Sequence, residues 1–484
     1  MLEVTDKEIK NRLAFDNPWW EEGAVPEQFR KWPRRGYFHG FMELVQQHTV
    51  NRAVVLMGPR RVGKTVMLTQ AVQQLIEDGI SPTSIFFVSV DTPTYTGLSL
   101  EKLLQLFLDI HGDEHGDTLY VAFDEIQYHA DWERHLKSLV DSFPTIQFVV
   151  SGSAAAALKM KSVESGAGRF TDYLLPPLSF AEFLRFRGVG PGLVWLEGKK
   201  IAIQDIEALN QLFVDYINFG GFPEAVLDLT VRANMDRYVA NDIVDKVLLR
   251  DIPSLYGISD TQELKKFFTV LAYNTGSEIS LEGLSRASGV AKNTLKKYLD
   301  YLEAAFLIRR LHRIGGDAKR FKRVTHFKAY LTNPSIRSAL FGPITDTSEA
   351  MGHLAETAVL CQFAQSRFGQ NIHYARWKEG EVDIVLSDQS DPNSFSPIEL
   401  KWSDRVASHP TDELRALIKF CKTTNCSEAW VYTKSTSKTM NVDGIRIHFG
   451  RLCAFCYAVA IRGIDEPLQD GLDPRTFAPF GESG

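Results

Sequence analysis

The sequence predicts an α/β protein whose first domain is a parallel sheet built around a phosphate-binding loop, and three stretches predict it. Gly58-Pro59-Arg60-Arg61-Val62-Gly63-Lys64-Thr65 follows the apolar run Ala53-Val54-Val55-Leu56-Met57. It opens a helical pattern through Val66, Met67, Leu68, Ala71, Val72 and Leu75. Residues 119–123 are a second apolar run, closed by Asp124 and Glu125. Residues 146–150 are a third, ending in Ser151-Gly152-Ser153. Short continuous apolar runs read as strands covered on both faces, as in a parallel sheet.

A strand, a glycine loop, Gly63-Lys64-Thr65 and a helix start together make a polyphosphate cradle. The glycines let the backbone wrap the phosphates, and the helix N-terminus aims free N–H groups and its positive dipole end at them. Gly58, Pro59, Arg60, Arg61, Val62, Gly63, Lys64, Thr65 and Val66 are the expected nucleotide contacts. Lys64 is expected to reach the β- and γ-phosphates, and Thr65 to offer its hydroxyl to Mg2+. Asp124 and Glu125 fall at the carboxyl edge of the sheet, where open α/β sheets bind ligands. Asp124 is expected in the Mg2+ shell and Glu125 beside the attacking water. Ser151 either bonds that water or the γ-phosphate, or caps the following helix. Arg169, in Gly166-Ala167-Gly168-Arg169-Phe170, is either a finger on a neighbouring subunit's γ-phosphate or a surface arginine.

Size and composition bound the rest. A chain of 484 residues suggests three or four domains. With 44% apolar and 24% charged residues it has an ordinary globular composition. A net charge of −6 excludes a uniformly basic protein, so any nucleic-acid surface must be local. The longest near-apolar run, 452–461, is half of the ~20 residues that a membrane span needs, and no membrane partner is expected. The charged N-terminus lacks a signal-peptide core, and five cysteines make no disulfide framework. A reducing cytoplasm is the expected compartment.

The order of parts resembles the AAA-type ATPases. It resembles in particular a large bacterial and archaeal family that joins such an ATPase to a C-terminal domain similar to a nuclease. The likeness rests on Gly58-Pro-Arg-Arg-Val-Gly-Lys-Thr, Phe123-Asp-Glu-Ile-Gln, Ser151-Gly-Ser, Ala167-Gly-Arg, Pro177-Leu-Ser-Phe-Ala-Glu-Phe and Gly220-Gly-Phe-Pro-Glu-Ala, and spans most of the chain from about residue 35. The resemblance implies ATP as the nucleotide and hydrolysis in rings, as hexamers. Residues 1–42 read as a lead-in: either Trp19 and Trp20 pack on the core with Arg34 and Arg35 at a solvated edge, or the two arginines sit near nucleotide or nucleic acid. Residues 43–175 are the ATPase core. Residues 176–258 read as a helical lid over the nucleotide, interrupted by the turn Gly220-Gly221-Phe222-Pro223.

Residues 259–332 show a tri-helical DNA-binding plan that resembles a winged helix. Gly289-Val290 makes the turn, and Lys292, Asn293, Thr294, Lys296 and Lys297 cluster at the start of the third helix, where a recognition helix meets the major groove. A ribbon follows, turning at Gly315-Gly316-Asp317. Between Arg309 and Lys328 stand eight Lys or Arg residues against one acid. Lys292, Asn293, Lys296, Lys297, Arg313, Lys319, Arg320, Lys322 and Arg323 are the expected backbone-gripping contacts to DNA. The alternative is a protein-packing module with a solvated basic face.

After a linker at 333–348, residues 333–484 form a second α/β domain. Its first helix, 349–368, carries Glu356 beside Val359, Leu360 and Phe363. In Glu381-Val-Asp-Ile-Val-Leu, Val382, Ile384 and Leu386 are expected to pack while Asp383 faces the other way. Ile398-Glu-Leu-Lys-Trp places Glu399 and Lys401 together, opposite Ile398, Leu400 and Trp402. A helix glutamate followed by a hairpin bearing Asp and Glu-x-Lys resembles the PD-(D/E)XK nucleases, which have the restriction-endonuclease-like fold. The resemblance implies Mg2+ at Asp383 and Glu399, completed by Glu356, with Lys401 orienting water. Such folds also serve as binding modules without cleavage. Cys453 and Cys456 lie in an apolar run and read as buried thiols, not metal ligands.

The combined expectation is an oligomeric ATPase that remodels or translocates branched or single-stranded DNA, as in DNA repair, with a nuclease-like tail. Two other classes stay open: a nucleotide-gated endonuclease in defence against foreign DNA, and a regulatory or protein-interaction ATPase with an inactive tail.

Overall fold

The structure is a computed structural model. It describes residues 4–112, 118–153, 168–197, 200–258, 260–314, 326–364, 371–378, 380–387 and 394–465. The chain divides into two compact units, Met1–Pro176 and Pro177–Gly484.

The first unit is built on a wholly parallel sheet of β1 (Ala53–Met57), β2 (Ile85–Ser89), β3 (Leu119–Asp124), β4 (Ile146–Gly152) and β5 (Phe170–Leu174), in the order β2-β3-β4-β1-β5. β1 is buried along its whole length because helices cover both of its faces, which is why five consecutive apolar residues suit it. The helix Lys64–Glu77 buries Met67, Leu68, Ala71, Val72 and Leu75, the face its periodicity predicts. In the lead-in, the indoles of Trp19 and Trp20 both donate to Ile85 O, and Trp20 stacks on Phe86 and Phe107. β2 and β5 went unread from the sequence; β5, Phe-Thr-Asp-Tyr-Leu, is an edge strand whose buried residue is Tyr173.

The second unit carries a small hairpin, β6 (Val194–Glu197) and β7 (Lys200–Ile203), and one nine-stranded mixed sheet. The sheet is formed by β8 (Glu278–Ser280), β9 (Ile308–Arg313), β10 (His326–Leu331), β11 (Ile372–Trp377), β12 (Gly380–Ser387), β13 (Phe395–Leu400), β14 (Glu428–Thr433), β15 (Lys438–Val442) and β16 (Ile445–Arg451). Their order is β15-β16-β14-β13-β12-β11-β9-β10-β8. Alternate residues supply two layers. Ile398, Leu400, Trp430 and Tyr432 face the helices Met351–Gln362 and Leu452–Asp465, whereas Ala429, Val431, Ile447 and Phe449 face Arg415–Thr424. Cys453 and Cys456 are buried in the first layer.

Three divisions read from the sequence differ in the fold. Phe180, Phe183, Leu209, Phe213 and Tyr216, expected in a separate lid, share a core with Ala355, Val359 and Tyr432. No sheet boundary falls at residue 332, because β9 pairs with β11 (His373↔His312) and so joins the tri-helical segment to the C-terminal strands. Residues 333–348 are not a plain linker. They contain the helix Ser335–Phe341, whose Ile336 and Ala339 are buried and whose Ser335 hydroxyl donates to Gly220 O at 2.7 Å.

Candidate functional site

The phosphate loop sits where β1 meets its helix, with Arg61 (φ 64°) and Gly63 (φ 96°) in left-handed conformations. The backbone at Gly58 admits no side chain, since a Cβ there would stand 2.2 Å from Leu175 O. Lys64 is buried, and its Nζ donates to Gly58 O at 3.0 Å and Pro59 O at 2.8 Å. Thr65 Oγ1 donates to Asp124 Oδ2 at 2.7 Å, and Ser151 Oγ donates to the other oxygen of the same carboxylate. Burial, and then the neighbouring Glu125, raise the Asp124 carboxyl above its ordinary range; the two hydroxyls and Lys64 work the other way. A hydroxyl and a carboxylate converging on one point are the hard oxygen donors that Mg2+ takes, so Thr65 and Asp124 fit that ion.

Glu125 adopts φ 54°, an uncommon conformation for a residue with a side chain, and functional sites are where such conformations gather. Gln127, which the sequence reading left out, holds it. Its Nε2 donates to Glu125 Oε2 and, at 3.0 Å, to Ser153 Oγ. The stretch Phe123-Asp-Glu-Ile-Gln contained that signal. Arg35, expected at a solvated edge, is instead buried, donating to Val62 O at 2.7 Å and Pro176 O at 2.9 Å. It clamps the loop to the end of the unit. Arg34 stays exposed, over the Phe38 ring. Arg169 ion-pairs with Asp141, and its carbonyl accepts from Ala53 N, at the opposite end of β1 from the loop.

In the second unit Glu356, Asp383, Glu399 and Lys401 come together as the sequence reading grouped them. Lys401 Nζ lies 2.6 Å from Glu399 Oε1 and 3.7 Å from Asp383 Oδ2, and Leu400 N donates to Asp383 Oδ2 at 2.9 Å. A bulge aims Asp383. Between His373 and Ala375 on β11 the partner moves from Val385 to Val382, so β12 has one residue too many. The simple alternation expected for 382–386 therefore fails: Val382 packs with Val385 in one layer, Ile384 and Leu386 in the other. A bulge leaves no mark in an apolar run.

Lys328 of β10 joins this group unannounced. Its Nζ lies 3.3 Å from Glu381, 3.6 Å from Glu356 and 3.9 Å from Asp383, and the side chain is 1% exposed. Tyr330, two residues on, donates to Glu356 Oε2 at 3.0 Å. Gly276 (φ 84°) comes close enough that a Cβ would lie 3.1 Å from His353 and 3.5 Å from Glu356 Oε2. Burial, then Asp383, push Glu356 up to about 8 and Glu399 up to about 7. Burial lowers the two lysines, but the surrounding carboxylates outweigh it and hold both above the ordinary range. Such shifts gather at functional sites and in structural ion networks alike. Glu399 Oε2 is buried without a hydrogen-bond partner, a place for a cation. Among the described residues no three His, Cys, Asp or Glu groups form a ready metal cage; ammonium groups stand between the acids instead.

The helix Lys292–Ala304 buries Leu295, Tyr298, Leu299 and Leu302. Lys292, Asn293, Lys296 and Lys297 are left exposed on it, after the left-handed turn at Gly289. Lys292 pairs with Glu282 at 2.8 Å. Arg313 is exposed at the end of β9. Lys319, Arg320, Lys322 and Arg323, with the turn at 315–317, lie outside the described residues. Among the described residues no helix is long and apolar enough to cross a membrane.

Comparison with known proteins agrees with the loop. Residues 50–184 match the family model of an AAA domain, and residues 210–347 match a domain of unknown function (DUF8612). An uncharacterized protein of Haemophilus influenzae is 27% identical over 305 residues, covering 62% of this chain and 72% of that one. An uncharacterized protein of Methanocaldococcus jannaschii is 24% identical over 346 residues, covering 69% and 72%. Among solved structures, C. elegans PCH-2 has a TM-score of 0.29 at 15% identity, covering 45% of this chain and 66% of that one. Cdc6p from Pyrobaculum aerophilum has a TM-score of 0.29 at 14% identity, covering 67% and 97%. Those scores are too low to carry a whole-chain likeness. The match over 50–184 and the loop geometry agree that the first unit is an AAA-type ATPase domain.

Proposed function

We propose that this AAA-type ATPase acts on DNA, coupling ATP hydrolysis to remodelling or translocation of branched or single-stranded DNA. It would work as a ring, as a hexamer, with Arg169 serving the adjacent subunit. In the first unit Lys64 would neutralise the β- and γ-phosphates, and Thr65 and Asp124 would hold Mg2+, which supplies charge neutralisation. Glu125, oriented by Gln127, would take a proton from the attacking water. The second unit would bind DNA backbone through a winged-helix surface formed by Lys292, Asn293, Lys296, Lys297 and Arg313, with Lys319, Arg320, Lys322 and Arg323 extending it.

The observation that carries this reading is the exposed basic start of the helix Lys292–Ala304 behind a tight glycine turn, in a protein of net charge −6. A local excess of that kind in an acidic chain is an electrostatic footprint for phosphate backbone. The test is steady-state ATP hydrolysis with single-stranded, duplex and four-way-junction DNA, Lys64→Ala serving as the blank. Stimulation by one form, lost in a Lys292/Lys296/Lys297→Ala variant, is the expected result. A rate indifferent to every DNA would favour the regulatory ATPase.

For the cluster at Glu356, Asp383, Glu399 and Lys401 we propose a PD-(D/E)XK-like site able to bind a divalent cation through Asp383 and Glu399. The unpartnered Glu399 Oε2 supports it. The ammonium of Lys328 among the acids favours a gated or non-cleaving site over a constitutive nuclease.

A further inference from the structure

Lys328 lies on β10, a strand of the tri-helical segment, yet its ammonium sits inside the carboxylate cluster of the C-terminal strands. An ordinary buried pair joins one ammonium to one carboxylate. Lys328 donates to Glu381 Oε1 at 3.3 Å and also stands 3.6 Å from Glu356 and 3.9 Å from Asp383, with the Tyr374 ring 5.7 Å away. A cation surrounded by carboxylate oxygens of a strand and a helix is the arrangement a hard metal ion takes.

Charge counting gives the consequence. Glu356, Glu381, Asp383 and Glu399 face Lys328, Lys401 and Arg376, whose Nη1 lies 3.1 Å from Glu381. Arg376 also serves Glu278 at 3.5 Å, so acids outnumber bases here even with Lys328 in place, and losing Lys328 removes a positive charge that stands within 4 Å of both Glu356 and Asp383. We infer that Lys328 is a built-in counter-cation that takes the place of a divalent ion beside Glu356 and Asp383 and holds the cluster's metal affinity low. The inference rests on the nuclease-like reading of the cluster only for which ligands Asp383 and Glu399 would be. Its own content is a trade between one ammonium and one metal ion. Since β10 pairs with both β8 and β9, the residue that sets this trade belongs to the segment that also presents the basic helix.

The test is Mn2+ binding to the full-length, nucleotide-free chain near neutral pH, read by electron paramagnetic resonance, for the wild type, Lys328→Met and Lys328→Arg. Lys328→Met should bind Mn2+ at least about tenfold more tightly, since it removes a cation only a few ångströms from the ion. Lys328→Arg, which keeps the charge, should match the wild type. Asp383→Asn added to Lys328→Met should remove the gain. Should Lys328→Met fail to fold in chelator, Mn2+ should restore its far-ultraviolet circular dichroism. A folded Lys328→Met with wild-type Mn2+ affinity, or an unfolded one that Mn2+ does not rescue, overturns the inference. DNA cleavage is not the readout, so an inert site would sink the nuclease-like reading and leave this result standing.

Discussion

Lys64 and Lys328 are both buried lysines, 6% and 1% exposed, but their ammonium groups are held by different chemistry. Lys64 donates to two backbone carbonyls of its own loop. Lys328 stands among three carboxylates from a helix and from β12, which two strands separate from β10 in the sheet. A neutral carbonyl attracts an ammonium less than an ionised phosphate does, so an incoming polyphosphate can draw Lys64 away from its two carbonyls. Lys328 has no such freedom, because leaving would strand buried negative charge. One site is poised for an anion, and the other already holds a cation of its own.

That contrast can be broken or sharpened by substitution. The largest effect is expected for Lys64→Ala, which should lower ATP turnover by at least ~100-fold, through loss of phosphate charge stabilisation. Mn2+ binding in the second unit should be unchanged, and a parallel loss there would show that the two sites are not independent. Asp383→Ala comes next. It removes the carboxylate facing both Lys328 and Lys401 and should destabilise the second unit by about 3 kcal/mol in urea unfolding, because it breaks a buried ion network one partner at a time. A change under about 1 kcal/mol would mean that water already screens the cluster.

Arg35→Ala should follow, at about 2–3 kcal/mol of first-unit stability, for two charged hydrogen bonds to buried carbonyls. Because one of those carbonyls is Val62 in the loop, the apparent KM for ATP should rise as well, and an unchanged KM would reduce Arg35 to a packing role. The smallest effect is at Asp404. Burial works to raise its pKa, but the N–H and O–H donors of Ser435 and Thr436 outweigh this and hold it at about 2. A carboxyl depressed in the folded state adds stability above its ordinary value of about 3.9 and loses it as pH falls. Asp404→Asn should therefore cost under ~1 kcal/mol at neutral pH, since the group is half-exposed. The gap to wild type should close as pH falls from about 4 toward about 2 in acid-unfolding curves.

The first site was legible from the sequence because its parts are local. Nine consecutive residues, Gly58 to Val66, carry the loop, and Asp124 and Glu125 end an apolar run whose length already marks it as a buried strand. Ser151 shows where locality runs out: its side chain hydrogen-bonds Asp124 across two adjacent strands, a partner that no local pattern names. Arg35 was misplaced for the same reason, since an arginine near an aromatic lead-in carries no sign of a carbonyl partner 141 residues on.

In the second unit the residue types at 356, 383, 399 and 401 were readable, because a helix glutamate and two period-two strands repeat a known order. Lys328 was not. It lies in a basic stretch where every lysine looks solvated, and only the pairing of β9 with β11 brings its strand into the sheet that carries the acids.

The sequence by itself determined the elements whose cause is local: the loop with its helix, the buried strands, the glycine turn at 289 and the exposed lysines after it. Apolar periodicity and backbone preference decide these within a few residues. Only the tertiary structure decided which strands share a sheet, where β12 bulges, and which cation the acids of the second unit face. Those outcomes depend on charges and backbone edges tens of residues apart being buried together, and burial belongs to the assembled sheet.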